Sequence, residues 1–499
     1  MKSPSLDRRS GLLMHVTSLP SEEGIGTLGR QAYAWIDRLA ASGQRLWQIL
    51  PLGPTGYGNS PYQCYSAFAG NPLLIDLRTL TSYGWLTPSE VSAERNCDEK
   101  RVDFSRVRQV KGQALRLAYR AFRQRAEDEW KSRFNAFELS QVFWLEDYAL
   151  FMALHERYGA NSWQEWPPEL KHREAQAMEN ARRELFDEIE YRKFEQFLFF
   201  TQWKELHAYA EKRGIAIVGD LPIYVSYDSS DCWAHPELFA LDDALRPRFV
   251  AGVPPDYFSR TGQLWGNPLY NWERLAATGY SWWIERMRQS FALYDIVRLD
   301  HFRGFEAYWS IPADAKTAAE GEWRPGPGAS LFEALRKALG DLPLIAEDLG
   351  LITPGVEELR DRFDLPGMKV LQFAFDGNAD NPYLPHNHRP RSVLYTGTHD
   401  NDTLMGWFHS LGDRCYVLDY LGSDENSFRW DLLRLQQMSV SSMAILPLQD
   451  LLGLGSEARM NVPGTVEGNW AWRCSQEEME GAQEAFGKLK RLSALYGRT

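Results

Sequence analysis

The chain has 499 residues, 44% hydrophobic and 24% charged, with a net charge of −12. This is an ordinary globular composition with material for a large core, and its acidic balance argues against a general nucleic-acid binder, which needs cations to neutralise phosphates. No run of about 18 apolar residues occurs, and the opening MKSPSLDRRSGLLMHV lacks the apolar core of a secretory signal, so no membrane span is expected and the cytoplasm is the expected location.

Eight short apolar runs, each ending in polar, Gly or Pro residues, read as buried parallel strands: 11–19, 45–52, 214–222, 294–302, 342–350, 368–375, 392–400 and 442–450. Such strands need apolar residues on both faces. Helical patterns lie between most of them, for example RQAYAWIDRLAASG and SLFEALRKALG, each ending in a Gly suited to a C-cap. Strand and helix in alternation imply a parallel sheet, and eight such units are what a closed (β/α)₈ TIM barrel of the α/β class requires.

The spacing is uneven. Roughly 160 residues separate the second and third runs, too many for one crossover. Much of 105–213 carries Leu, Ala, Glu, Lys, Arg and aromatic residues at helical spacing, RRELFDEIEYRKFEQFLFFTQWKELHAYAEKRG being the clearest case. A mainly helical insertion between strands 2 and 3 is therefore expected. The chain divides into residues 1–75 (barrel strands 1 and 2 and a first active-site loop), 76–205 (the inserted subdomain) and 206–499 (strands 3 to 8). The last part holds a long 250–270 loop, VAGVPPDYFSRTGQLWGNP at its heart, with little secondary structure of its own. Only 49 residues follow residue 450, too few for a separate C-terminal β-domain. The cysteines, Cys64, Cys97, Cys232, Cys415 and Cys474, are scattered with no CxxC pair and read as reduced thiols. Aromatic residues make up 13% of the chain, including 19 tryptophans, a mild pointer to sugar stacking beside its ordinary reading as aromatic core.

In such a barrel the strand ends and the loops after them build the active-site face. Asp220 ends the third strand; Arg298, Asp300 and His301 end the fourth; Glu347 and Asp348 end the fifth; His399 and Asp400 end the seventh. Convergent carboxylates repel and persist only when matched by cations, hydrogen bonds or a shared proton. Retaining glycoside chemistry uses that arrangement, one carboxylate attacking the anomeric carbon while a second protonates the leaving oxygen. Arg298, two residues before Asp300 and on the same strand face, is expected to keep Asp300 ionised. Each residue alone has a plainer reading: a strand-end Asp as a helix cap, Arg-x-Asp as a structural ion pair, a lone His as a hydrogen-bonding residue. A metal site of His and Asp ligands is the other chemical reading, but no helix carries an HxxxH or HxxE pair. Co-occurrence at the same strand ends favours the glycoside reading.

The motifs around these residues sharpen it. VRLDHFRGF (297–305), IAEDLG (345–350) and GTHDN (397–401) resemble the catalytic motifs of the amylomaltases, the 4-α-glucanotransferases of glycoside hydrolase family 77 in the α-amylase clan. LPLGPTGYGNSPYQCYSAFAGNP (50–72), IVGDLPIYVSYDSSDCWAHPELF (217–239), PPDYFSRTGQLWGNPLYNW (254–272) and NVPGTVEGNWAWR (461–473) are similar to further motifs of that family, in its order. The resemblance implies Asp300 as nucleophile, Glu347 as general acid and then base, and Asp400 as the carboxylate holding the 2- and 3-hydroxyls of the distorted sugar. It implies that Arg298 orients Asp300, that His301 and His399 bind hydroxyls of the same ring, and that Asp220 contacts the neighbouring sugar. Tyr62 becomes a platform for the −1 ring and Trp265 a stacking surface for acceptor sugars, with Asp376 and Asn469 as further sugar contacts. Cys64 and Tyr65 stand where Ser and Phe are commoner, small changes beside Tyr62 that bear on subsite preference. The chain also begins almost at strand one, without the N-terminal extension of some family members.

The implied partners are an α-1,4-glucan donor and a glucose or maltooligosaccharide acceptor, with no cofactor, metal or nucleic acid and with a monomer compatible. Two rivals stand beside transfer: an α-amylase-clan hydrolase, which usually carries the missing C-terminal β-domain, and a glycan-binding barrel without catalysis, which should have lost a carboxylate.

Overall fold

The computed structural model describes residues 7–91, 98–255 and 260–499. Residues 1–6, Cys97, and 256–259 of the expected 250–270 loop lie outside the described residues. Twelve strands form two sheets among the described residues. They are β1 (Arg9–Leu13), β2 (Leu46–Gln48), β3 (Ala216–Pro222), β4 (Phe249–Val253), β5 (Gln263–Pro268) and β6 (Ile296–Asp300), then β7 (Ala307–Pro312), β8 (Glu322–Pro325), β9 (Leu344–Ala346), β10 (Gly367–Val370), β11 (Ser392–Tyr395) and β12 (Met443–Pro447). The first sheet is a closed barrel in the order β1-β2-β3-β6-β9-β10-β11-β12, every pair parallel. Each of its eight strands overlaps one of the apolar runs, β1 starting two residues and β10 one residue ahead of it.

The strands are short and buried almost throughout: all of β9, β11 and β12, and all but the first residue of β1. Helices cover the outside and side chains fill the inside, so Leu12, Val218, Val297, Ile345, Val393 and Ile445 lose essentially all contact with water. Each such side chain stabilises the fold by roughly 1.5–3 kcal/mol relative to exposure. Gly11 is set by packing: a Cβ there would lie 2.2 Å from the Leu46 carbonyl oxygen of β2.

Helices fill the segment between β2 and β3. Phe104–Arg125, Asp128–Ser140, Leu145–Arg157 and Ala175–Glu184 precede Phe186–Lys212, a 27-residue helix. This last helix runs through residue 205 and serves also as the return into β3. Its Phe194 and Phe197 join Trp85, Phe122, Trp130 and Phe134 in an aromatic core of edge and tilted contacts. A buried pair, Lys111 Nζ to Glu23 Oε2 at 2.6 Å, ties this layer to the barrel, and Lys111 also donates to the Ile75 carbonyl at 2.6 Å.

The 250–270 segment departs from the expected unstructured loop. Its flanks are β4 and β5, which pair with β7 and β8 in an antiparallel four-stranded sheet, β5-β4-β7-β8. Val250, Ile311 and Ala318 form its own small core. No strand follows β12 among the described residues; the chain ends in the helices Gln476–Gly481 and Gln483–Leu495. Ser475 and Glu478 cap the first reciprocally, each side chain accepting the other's backbone N–H. No described helix is long and apolar enough to cross a membrane.

Candidate active site

The register of β3 against β6 sets the centre of the site. Asp220 is the Cα partner of Arg298, and Pro222 of Asp300. Residues two apart on a strand share a face, so Arg298 is flanked by Asp220 across the sheet and by Asp300 along its own strand. Its guanidinium meets both: Nη1 lies 2.6 Å from Asp220 Oδ2 and Nη2 3.0 Å from Asp300 Oδ1. Nε points to Met368 Sδ at 3.3 Å. Arg298 and Asp220 are buried, whereas the Asp300 side chain keeps 27% exposure. The hydroxyl of Tyr62 donates to Asp220 Oδ2 at 2.6 Å, and Asp220 Oδ1 is buried without a hydrogen-bond partner.

Glu347 follows β9 and is held by backbone. The N–H of His301 donates to Oε2 at 2.7 Å and that of Leu349 to Oε1 at 3.0 Å. His301 can offer its N–H because it leaves β6 in the left-handed region, φ 53°, a conformation costly for a side chain and common at functional sites. Burial pushes the Glu347 carboxyl up to about 8, with Arg298 pulling down and Asp300 adding to the rise. Burial pushes Asp300 up to about 7, again against Arg298 and helped by Asp220 and Asp400. Arg298 therefore does not simply hold Asp300 ionised, as Arg-x-Asp suggests. One cation serves several carboxylates in a dry site, and burial outweighs its pull. Arg298 touches Asp300 directly, whereas the hydrogen-bond donors to Glu347 are neutral N–H groups.

Asp400 stands on the turn after β11. Its Oδ1 accepts from Asn461 Nδ2 at 2.6 Å and lies 3.4 Å from His399 Nε2; its carbonyl accepts from Arg459 Nη2 at 2.7 Å. Among the described residues none hydrogen-bonds to Oδ2, and 46% of the side chain is open. The buried ring of His399 stacks on Tyr62, centroids 5.2 Å apart and 18° between planes, and Trp470 leans on both. Burial lowers His399 below the usual imidazole range, and lowers His301 to about 4. Both rings are neutral at pH 7 and able to donate and accept. Trp265 stands on β5, not in a loop, its ring edge-on to His301 at 4.9 Å, while His301 Nε2 is buried without a partner.

Two expected residues stand apart. Asp376 is exposed and accepts the Asn378 N–H at 2.9 Å within its own turn. Asn469 is buried with both ends of its amide in use: Oδ1 accepts the Val462 N–H at 2.9 Å and Nδ2 donates to the Thr465 carbonyl at 2.9 Å. It fastens the loop that carries Asn461 and Trp470. Those two, with Arg459, are the residues sequence reasoning missed, although NVPGTVEGNWAWR contains Asn461 and Trp470. Among the described residues no three His, Cys, Asp or Glu side chains gather as metal ligands do.

The family described as 4-alpha-glucanotransferase, glycoside hydrolase family 77, matches residues 14–478. A 4-alpha-glucanotransferase of Synechocystis sp. is 52% identical over 99% of this chain and 99% of its own, and one of Thermus thermophilus is 50% identical over 95% and 96%. The amylomaltase of Streptococcus agalactiae, solved with acarbose, superposes at a TM-score of 0.96 with 40% identity, covering 99% of this chain and all of its own. With this barrel, these strand-end carboxylates and that match over almost its whole length, the chain belongs to the 4-alpha-glucanotransferases of glycoside hydrolase family 77.

Proposed function

We propose that this chain transfers a segment of an α-1,4-glucan to the 4-OH of glucose or a maltooligosaccharide by two displacements at Asp300. The observation that supports it most is the inequality of two neighbouring carboxyls. Asp300 is paired with the Arg298 cation, whereas Glu347 receives only neutral N–H groups. A nucleophile must be ionised while its partner acid is still protonated, and environment is what separates two such carboxyls.

In the first step an Asp300 oxygen attacks the anomeric carbon. The bond to the leaving sugar breaks, and Glu347 passes its proton to the departing oxygen. The products are a shorter glucan and a β-glycosyl ester on Asp300. In the second step ionised Glu347 removes the proton of the acceptor 4-OH. That oxygen attacks the same carbon, Asp300 leaves, and an α-1,4 bond re-forms with Glu347 protonated again. Water in place of the sugar gives hydrolysis.

Arg298 orients Asp300, and the partner-free Oδ2 of Asp400 takes the sugar hydroxyls. His301 and His399, neutral, bind hydroxyls of the same ring against Tyr62, and Asp220 contacts the next sugar. Trp265, on the β4–β5 flank of 250–270, presents a face to the acceptor and helps exclude water. Asp376 serves the outer rim. Asn469 acts through its loop, which carries the Asn461 donor to Asp400. Residues 76–205 form the inserted subdomain between barrel segments 1–75 and 206–499, and the substrates are maltodextrins of the cytoplasm. Incubation with maltotriose tests transfer. Glucose and a ladder of longer oligomers at constant total reducing ends is expected; a steady rise in reducing ends means hydrolysis.

A further inference from the structure

Asp450 is fully buried just beyond β12, and the chemistry above makes no use of it. Its two oxygens reach opposite ends of one turn: Oδ2 accepts from the Thr396 hydroxyl at 2.5 Å, and Oδ1 accepts the Leu404 N–H at 2.7 Å. Thr396 follows β11 directly and Leu404 opens the helix Leu404–Ser410, so Asp450 spans the segment that carries His399 and Asp400. Both end residues are fully buried.

A cavity of about 20 Å³, room for about one water, lies against this turn, lined among others by His15, His399, Asp402, Asp450 and Arg459. Other ties fall along the turn: Gln372 Nε2 donates to the Asp402 carbonyl at 2.8 Å and the exposed Ser456 hydroxyl to the Asp402 carboxylate at 2.7 Å, while Arg459 and Asn461 hold the carbonyl and Oδ1 of Asp400. Among the described residues only Asp450 hydrogen-bonds to both Thr396 and Leu404.

We propose that Asp450 is a positioning residue, which sets Asp400 and His399 for the transition state through the Thr396–Leu404 turn without touching substrate. The inference rests on Asp400 acting as proposed above. A misplacement of about 1 Å at a reacting centre costs on the order of 100-fold, so a loosened turn should be felt in turnover before substrate affinity.

The test compares Asp450→Ala, Asp450→Asn, Thr396→Val and Asp400→Asn, each scored for melting temperature, kcat and KM on maltotriose per folded molecule, and acarbose affinity. Asp450→Ala is expected to lower kcat by about 30-fold or more, with KM within about threefold and acarbose weakened in step with kcat. Asp450→Asn keeps one acceptor and gains a donor toward the Thr396 oxygen, so kcat should return to within about fivefold of the parent. Thr396→Val, which removes one of the two bonds, should fall between, and carries the test if Asp450→Ala does not fold. A kcat and acarbose affinity unchanged in Asp450→Ala or Thr396→Val, with only the melting temperature lowered, overturns the proposal. If Asp400→Asn itself retains turnover, the role of Asp400 fails first, a different outcome.

Discussion

The barrel buries an arginine at each end, and the two are kept in opposite ways. Arg298 at the C-terminal mouth sits between Asp220 and Asp300, near an unpartnered Asp220 Oδ1 and two carboxyls raised by burial. Arg498 at the other end meets no carboxylate. It donates to the carbonyls of Gln437 at 2.7 Å, Ser439 at 2.9 Å and Ser441 at 2.9 Å, and more distantly to those of Arg9 and Ser442. Carbonyls satisfy a guanidinium without adding a carboxylate to titrate, although burial, with Arg8 beside it, pushes Arg498 itself down to about 9. At the mouth, charge is packed beyond what one cation offsets, and stability is given up for reactivity. Stability at the strand N-termini and chemistry at their C-termini is the general division of labour in these barrels.

The largest expected effect breaks the mouth. Asp300→Asn and Glu347→Gln should each lower kcat/KM on maltotriose by roughly 10³-fold or more, with thermal unfolding no easier than in the parent. Near-normal turnover in either removes the proposed roles. The converse belongs to the other end: Arg498→Ala should cost about 3 kcal/mol by orphaning buried carbonyls. Denaturant unfolding would show it, while kcat per folded molecule stays within about twofold of the parent. A larger loss of turnover would mean the two ends are coupled.

A third prediction follows from protons. The Asp300 and Glu347 carboxyls are raised, to about 7 and about 8, above values near 4 in the unfolded chain. Between those limits the folded state binds more protons than the unfolded, so stability falls as pH rises from about 4 through about 8. Removing one of these charges should relieve part of that loss. The melting temperature of Glu347→Gln should match the parent near pH 4 and exceed it by roughly 2 °C at pH 8.5. A constant offset, or the opposite trend, contradicts the assignment of the burial cost. The smallest effect concerns Asn461→Ala, which leaves Asp400 Oδ1 without its 2.6 Å donor and should lower kcat by about tenfold with little change in unfolding.

The same contrast explains what the sequence disclosed. Short parallel strands buried on both faces leave continuous apolar runs, so all eight barrel strands and the residues at their ends were legible. β7 (AYWSIP) and β8 (EWRP) were not, because β7 is a strand by pairing with β4, more than 50 residues upstream, and β8 by pairing with β7. Trp265 was visible as a residue but not as part of β5, the edge strand that pairs only with β4. Asn469 and Asn461 share one motif, and the turn of the loop puts the first inside it and the second on Asp400. The upward push of burial on Asp300 and Glu347 was hidden too: Arg-x-Asp is a local pattern, whereas burial is set by the whole barrel.

The most direct test is to trap the covalent intermediate. Glu347→Gln, incubated with α-maltosyl fluoride, does not need an acid to release its leaving group and is slow to activate an acceptor. After denaturation and proteolysis, mass spectrometry should find one maltosyl group on the peptide that contains Asp300. Unmodified peptide throughout, or the label on Asp220 or Asp400, would contradict the account.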